Sequence, residues 1–214
     1  MERIFDGGVE EAIHKLENPE RVKRHDPAVL FGRVGLRRGE VLADLGCGTG
    51  FFALPAAKSV GKQGRVLAVD KTPEMLNVLR EKLKGVGTDN IEVIQADILS
   101  TGIEKGTVDV AFMANTFHDV REGSLKEVER MLRPSGRLVI LDWKNVPTQA
   151  GPLLEARLSP EGVTAILKGR RWRIAEQFDM GSTHYVVVAR PPTERYHADG
   201  GAVSYGLKLK KLAA

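Results

Sequence analysis

The sequence predicts an α/β domain, a mostly parallel sheet with helices wound over both of its faces. Three observations point to it. Five short, β-branched, mostly apolar runs recur between residues 41 and 141, amphipathic stretches separate them, and glycines or acids stand where the runs finish. Strands alternating with helices imply parallel pairing through right-handed crossovers. Ligands on such sheets bind at the carboxyl ends of the strands, so that is where functional residues are sought.

The expected strands are Val41–Leu45, Arg65–Val69, Ile91–Gln95, Val108–Phe112 and Arg137–Leu141. Near-continuous apolar runs of this kind suit strands covered on both faces. Between them, Thr72 caps a helix with Pro73 in its first turn, Met75, Leu76, Leu79 and Leu83 share one face, and Gly85 stops it. Ser124 with Glu127 reads as a capping box ahead of Leu125, Val128 and Leu132. Arg133-Pro134-Ser135-Gly136 then turns into the next strand. Ser159-Pro160-Glu161 opens a further helix ending near Gly169, and Trp172–Phe178 with His184–Ala189 reads as a closing pair of strands.

Bulk properties exclude several classes. The chain has 214 residues, 42% hydrophobic and 28% charged, which suits one soluble α/β domain with trimmings. A single cysteine, Cys47, rules out an internal disulfide or a cysteine-built zinc site, no metal ligand set is expected, and a reducing cytoplasm is the simplest compartment. No apolar run approaches the roughly 20 residues of a membrane span, and the first six residues lack the apolar centre of a signal peptide. The formal charge is +4. Three of the lysines behind it, Lys208, Lys210 and Lys211, lie in the tail, so nucleic acid is not the expected partner.

The first strand runs into Asp44-Leu45-Gly46-Cys47-Gly48-Thr49-Gly50. Glycines at 46, 48 and 50 allow a sharp turn and close backbone approach to a ligand. A dinucleotide site would place its third glycine at position 51, where this chain has Phe51. The spacing D-x-G-x-G-x-G instead resembles the first motif of class I S-adenosylmethionine-dependent methyltransferases. Asp70 ends the second strand and begins Asp70-Lys71-Thr72-Pro73-Glu74-Met75-Leu76, similar to a pattern in the ubiquinone- and menaquinone-type, methyltransferase-11-like small-molecule branch of that family. Gln95-Ala96-Asp97-Ile98 ends the third strand, and Met113-Ala114-Asn115-Thr116-Phe117-His118-Asp119 ends the fourth. Leu132-Arg133-Pro134-Ser135-Gly136 looks like the family's helix-to-strand signature with a serine for one glycine.

The resemblance covers roughly residues 20 to 190. It implies a Rossmann-like sheet of seven strands, the last antiparallel and inserted beside the fifth. It implies S-adenosylmethionine as cofactor and S-adenosylhomocysteine as product. The cofactor site it implies consists of Asp44, Gly46, Cys47, Gly48, Thr49, Gly50, Asp70, Lys71, Met75, Ala96, Asp97, Ile98 and Asn115. In the family the second-strand acid, here Asp70, binds the ribose, and the third-strand acid, Asp97, bonds the adenine amino group. Ile98 packs on the ring, Met75 lies near it, and the fourth-strand end walls cofactor from acceptor.

Each role has a plainer competitor. Asp44 either touches the cofactor or supports its own loop. Cys47 reads as a small buried filler, not a reactive thiol. His118 is the candidate catalytic residue, as a general base or as pocket wall. Asp142, Trp143 and Lys144, after the fifth strand, are expected beside it, with the Gly151-Pro152 loop and the N-terminal stretch as a lid. His184 and Tyr185 alternate to opposite faces. His14 reads as solvated surface, and the basic stretch of Arg21, Lys23, Arg24, Arg33, Arg37 and Arg38 either attracts an anionic substrate or, the preferred reading, is a solvated helix face.

The domain reading is an N-terminal helical segment over 1–40 covering the cofactor, a methyltransferase domain over 41–192, and a tail over 193–214. Its last residues, from about 206, look vector-encoded. The expected function is methyl transfer to a small molecule by direct displacement; a non-catalytic cofactor-binding regulator and a nicotinamide-dependent oxidoreductase are the alternatives. The fourth-strand end lacks the N/D-P-P-Y/F run of amino-methylating members, and one cysteine is too few for an arsenite enzyme. Carbon, oxygen and nitrogen acceptors stay open, as does association with a second copy.

Overall fold

The computed structural model describes residues 8–18, 21, 25–148 and 150–192, with the backbone alone of 195–196 and 202–203. Much of the expected tail, including 206–214, lies outside the described residues, as do Lys23 and Arg24.

Seven strands form one sheet: β1 (Val41–Leu45), β2 (Arg65–Asp70), β3 (Ile91–Gln95), β4 (Val108–Ala114), β5 (Leu132–Trp143), β6 (Arg173–Met180) and β7 (His184–Arg190). Their order is β3-β2-β1-β4-β5-β7-β6. The pairs joining β3, β2, β1, β4 and β5 are parallel, and β7 runs antiparallel to both β5 and β6. The order reverses at β1, which continues to β2 on one side and lies beside β4 on the other. That is where an open α/β sheet forms its binding crevice.

The helices are α1 (Gly8–Leu16), α2 (Pro27–Arg33), α3 (Ala53–Val60), α4 (Pro73–Val86), α5 (Phe117–Val120), α6 (Leu125–Met131) and α7 (Pro160–Gly169). Two apolar layers sandwich the sheet. Leu42, Val66, Ala68, Val110, Phe112, Val139 and Leu141 face α2, α3 and α4. The alternate residues Ala43, Leu45, Leu67, Val69, Ala111, Met113, Leu138 and Ile140 face α6 and α7. Both faces being covered explains why the strands read as continuous apolar runs. His184 and Tyr185 do part to opposite sides: Tyr185 joins the second layer, while the ring of His184 lies 3.9 Å from that of His25 and 4.0 Å from that of Trp143.

Several helix ends differ from the expectation. α4 runs past Gly85 and stops at Gly87, which takes the left-handed conformation with φ 62°. The Thr72 side chain makes no cap bond; its backbone N–H instead donates to Asp70 Oδ1 at 2.9 Å. Ser124 is already helical, since a 3₁₀ turn over Arg121–Ser124 leads straight into α6. Glu127 is therefore free to accept from the Thr101 N–H and hydroxyl and from Arg130. Those bonds hold its carboxyl down at about 2, the Arg130 bond most of all. β5 begins at Leu132, five residues ahead of the expected strand, with a break in pairing between Val108 and Val110 that absorbs the Arg-Pro-Ser-Gly run. Within the expected tail, β8 (Arg195–Tyr196) and β9 (Ala202–Val203) form a two-residue antiparallel ladder.

Candidate functional site

The glycine loop sits at the end of β1 with Gly46, Gly48 and Gly50 all at positive φ. Gly46 shows why no side chain is tolerated: a Cβ there would come within 2.6 Å of Thr116 Oγ1. The loop is pinned to β2, since the Gly46 and Cys47 N–H groups donate to Val69 O. Asp70 extends the tie. Its Oδ2 accepts from Gly48 N at 2.9 Å while Oδ1 accepts from Thr72 N. A carboxylate offers about four acceptor positions, so Asp70 keeps capacity for two hydroxyls after organising its own surroundings.

Two polar atoms at this crevice lack partners among the described residues. Asp44 Oδ2 and Asn115 Oδ1 are both buried without a hydrogen bond. Buried polar groups are normally satisfied, so orphans at adjacent strand ends, beside a glycine cradle, fit a polar ligand. Burial, and then the charge of Asp70, push the Asp44 carboxyl up to about 7. A ligand cation would hold it ionised. Asn115 is strained as well, with φ 55° in a non-glycine residue, a conformation that functional sites retain. These observations favour ligand contact by Asp44 over loop support.

The remaining expected contacts fall around the same crevice. Met75 is buried in the first turn of α4. Asp97 is exposed at the end of β3, where its Oδ1 accepts from Leu99 N and leaves the other oxygen open. Ala96 and Ile98 pack against the second apolar layer, and Lys71 is exposed. Cys47 is a buried filler: burial, with Asp44 and Asp70 nearby, pushes its thiol far up, away from reactivity. Thr49 donates its hydroxyl to Glu17 Oε1 at 2.6 Å, and Lys82 bonds both Glu17 and the Thr49 carbonyl. Glu17, just past α1, and Lys82, on α4, thus strap the N-terminal segment to the glycine loop. No sequence motif signalled either residue.

Across the crevice, at the ends of β4 and β5, stands a buried pair. His118 Nδ1 lies 2.8 Å from Asp142 Oδ1, and the His118 backbone N–H donates to Asp142 Oδ2 at 3.0 Å. Trp143 N also donates to Asp142 Oδ1. A carboxylate so placed only accepts, so Nδ1 carries the proton and Nε2 keeps its lone pair. Burial opposes the charged imidazole, but the Asp142 hydrogen bond and charge, helped by Asp119, outweigh it and hold His118 above its ordinary value. Sequence reasoning placed both residues here but did not see that they are bonded.

Comparison with known proteins fits this geometry. A family profile described as a methyltransferase domain matches residues 42–136. A crystal structure of an S-adenosylmethionine-dependent methyltransferase from Aquifex aeolicus superposes with a TM-score of 0.80 at 33% identity, over 84% of this chain and 96% of that one. The chain belongs to the S-adenosylmethionine-dependent methyltransferases. Among curated relatives, a demethylmenaquinone methyltransferase of Lactococcus lactis is 34% identical over 124 residues, 56% of this chain and 49% of that protein. A ubiquinone/menaquinone biosynthesis C-methyltransferase of Klebsiella pneumoniae is 34% identical over 112 residues, 51% and 45% respectively. The chain spans about half the length of these curated relatives. The orphaned Asp44 and Asn115 oxygens and the glycine cradle fit the polar groups of S-adenosylmethionine.

Proposed function

We propose that the chain transfers a methyl group from S-adenosylmethionine to a small-molecule acceptor whose attacking atom must lose a proton, with His118 as the base. The observation that carries this reading is the buried His118–Asp142 pair at the carboxyl ends of β4 and β5. When bound, the cofactor supplies an electrophilic sulfonium methyl. The chain's own residues bind, orient and exclude water. Asp70 would accept the ribose hydroxyls, Asp97 the adenine amino group, and Asp44 and Asn115 the polar groups of the amino-acid end. Gly46, Gly48 and Gly50 let the backbone come close, and Thr49, tied to Glu17, holds the loop in place.

On the acceptor side, Asp142 holds the His118 proton on Nδ1 and leaves Nε2 to take the proton of a hydroxyl or an acidic carbon. Asp142 also favours the imidazolium that results, as an acid behind a histidine base does. The two curated relatives, named a demethylmenaquinone methyltransferase and a ubiquinone/menaquinone biosynthesis C-methyltransferase, support a carbon acceptor over an amine.

The test is formation of S-adenosylhomocysteine by the full chain with a panel of phenols, quinols and amines. His118→Ala should cut turnover roughly 10²–10⁴-fold with little change in S-adenosylhomocysteine affinity. A loss confined to acceptor KM makes His118 a wall residue, and full activity removes it from the site. Cofactor binding with no turnover on any acceptor would favour a regulator instead.

A further inference from the structure

Arg157 precedes α7 and is almost fully buried, 6% exposed. Its donors all go to the segment that leaves β5. Nε donates to Pro152 O at 2.9 Å, Nη1 to Val146 O at 2.8 Å and Lys144 O at 3.4 Å, and Nη2 to Thr148 Oγ1 at 2.7 Å and Ala150 O at 3.2 Å. A guanidinium has five N–H groups, and here five acceptors from one stretch receive them. Among the described residues no carboxylate lies within ion-pair distance, so hydrogen bonds satisfy the donors while the net positive charge meets no opposite charge. Burying a charge without an acid is costly, which makes the arrangement more than a convenient loop brace.

The same segment closes on Trp143. The Arg157 guanidinium carbon lies 5.0 Å from the indole centroid. Gly151, at φ 100°, brings its backbone so near that a Cβ would meet Trp143 Cε2 at 2.8 Å. Trp143 directly follows Asp142, the partner of His118. The positive charge of Arg157 also reaches His118, where it opposes the pull of Asp142.

We propose that Arg157 is a positioning residue of the acceptor site: it holds 144–148 and 150–152 against Trp143 as a formed wall and sets an uncompensated positive charge beside the His118–Asp142 pair. The second role rests on the reading of His118 as the base. The same stretch bears three exposed apolar side chains, Val146, Leu153 and Leu154. An uncompensated cation there favours an acceptor that becomes anionic as it loses its proton.

The experiment uses the full chain saturated with S-adenosylhomocysteine and needs no acceptor. Amide exchange over 144–154 reads the wall, and NMR titration of the His118 imidazole reads the charge. Arg157→Gln should speed exchange roughly tenfold or more and move the His118 midpoint to higher pH. Arg157→Lys should speed exchange too, since one ammonium cannot serve five spread acceptors, but leave the titration near wild type. Gly151→Ala disturbs the wall from its other side and should speed exchange without moving the titration. Wild-type exchange and titration in Arg157→Gln overturn the proposal. So does loss of S-adenosylhomocysteine binding in both Arg157→Gln and Arg157→Met, which would make Arg157 a folding residue only. If these readouts move as expected while His118→Ala retains turnover, the base reading fails and the wall stands.

Discussion

Asp44 and Asp70 show how one crevice uses two carboxylates differently. Asp70 is held by two backbone N–H groups, whereas Asp44 is enclosed and raised to about 7 by burial and by its neighbour. An acid whose folded value lies above its unfolded value makes the native state bind the extra proton. Stability of the cofactor-free protein should therefore fall as pH rises from about 4 towards 7. Asp44→Asn should flatten that slope in denaturant titrations at several pH values, while weakening S-adenosylmethionine binding. An unchanged slope would show that Asp44 is ionised in the folded protein. Asp70→Ala should weaken S-adenosylhomocysteine by on the order of 2–4 kcal/mol, the value of two hydrogen bonds to a charged acceptor, measured by calorimetry on folded protein. For His118 the sign is opposite to that of a buried neutral histidine. Its value is raised, so the acid limb of kcat should lie above the pH expected for free imidazole, because a protonated ring is no base. Asp142→Asn should shift that limb to lower pH and reduce kcat.

Among the elements, β4 carries the centre of an aromatic cluster. Phe112 is fully buried and meets Phe31 of α2 and Phe52 before α3 edge-on, with centroids 5.5 and 5.1 Å away. Phe112→Ala should cost about 3–5 kcal/mol, transfer and cavity terms together, read from the urea midpoint at constant slope. The strand that places this aromatic also ends at strained Asn115 and leads into His118. α1 behaves differently. It meets the domain through Leu16 near Gly48 and through the Glu17–Thr49–Lys82 strap, whose Lys82 side chain is partly exposed. Few buried contacts mean a low opening free energy. Glu17→Ala should therefore speed release of S-adenosylhomocysteine in stopped flow while barely changing the melting temperature.

For the whole molecule, the crevice is where winding reverses, so a cofactor bound there would bridge elements from both halves of the sheet. A ligand bound only by the native state stabilises it by about 2.7 kcal/mol at a hundredfold excess over Kd. S-adenosylhomocysteine should accordingly raise the melting temperature by several degrees. NAD should not, since Phe51 stands where a dinucleotide loop needs glycine. The strand pattern, the glycine loop and the strand-end acids were legible in the chain because each rests on local rules: alternation, turn chemistry, and residues at fixed offsets from a strand end. β1 matches its expected bounds residue for residue. Helix ends were less legible where a neighbour competed, as when Glu127 turned from a cap to Thr101 and Arg130. What only the tertiary structure decided are the pairings of residues far apart in sequence: His118 with Asp142, Glu17 with Thr49 and Lys82, Arg157 with residues 144–148 and 150–152. Nothing local marks such partners, because each is selected by burial that leaves a charge or hydrogen-bonding group no other way to be satisfied.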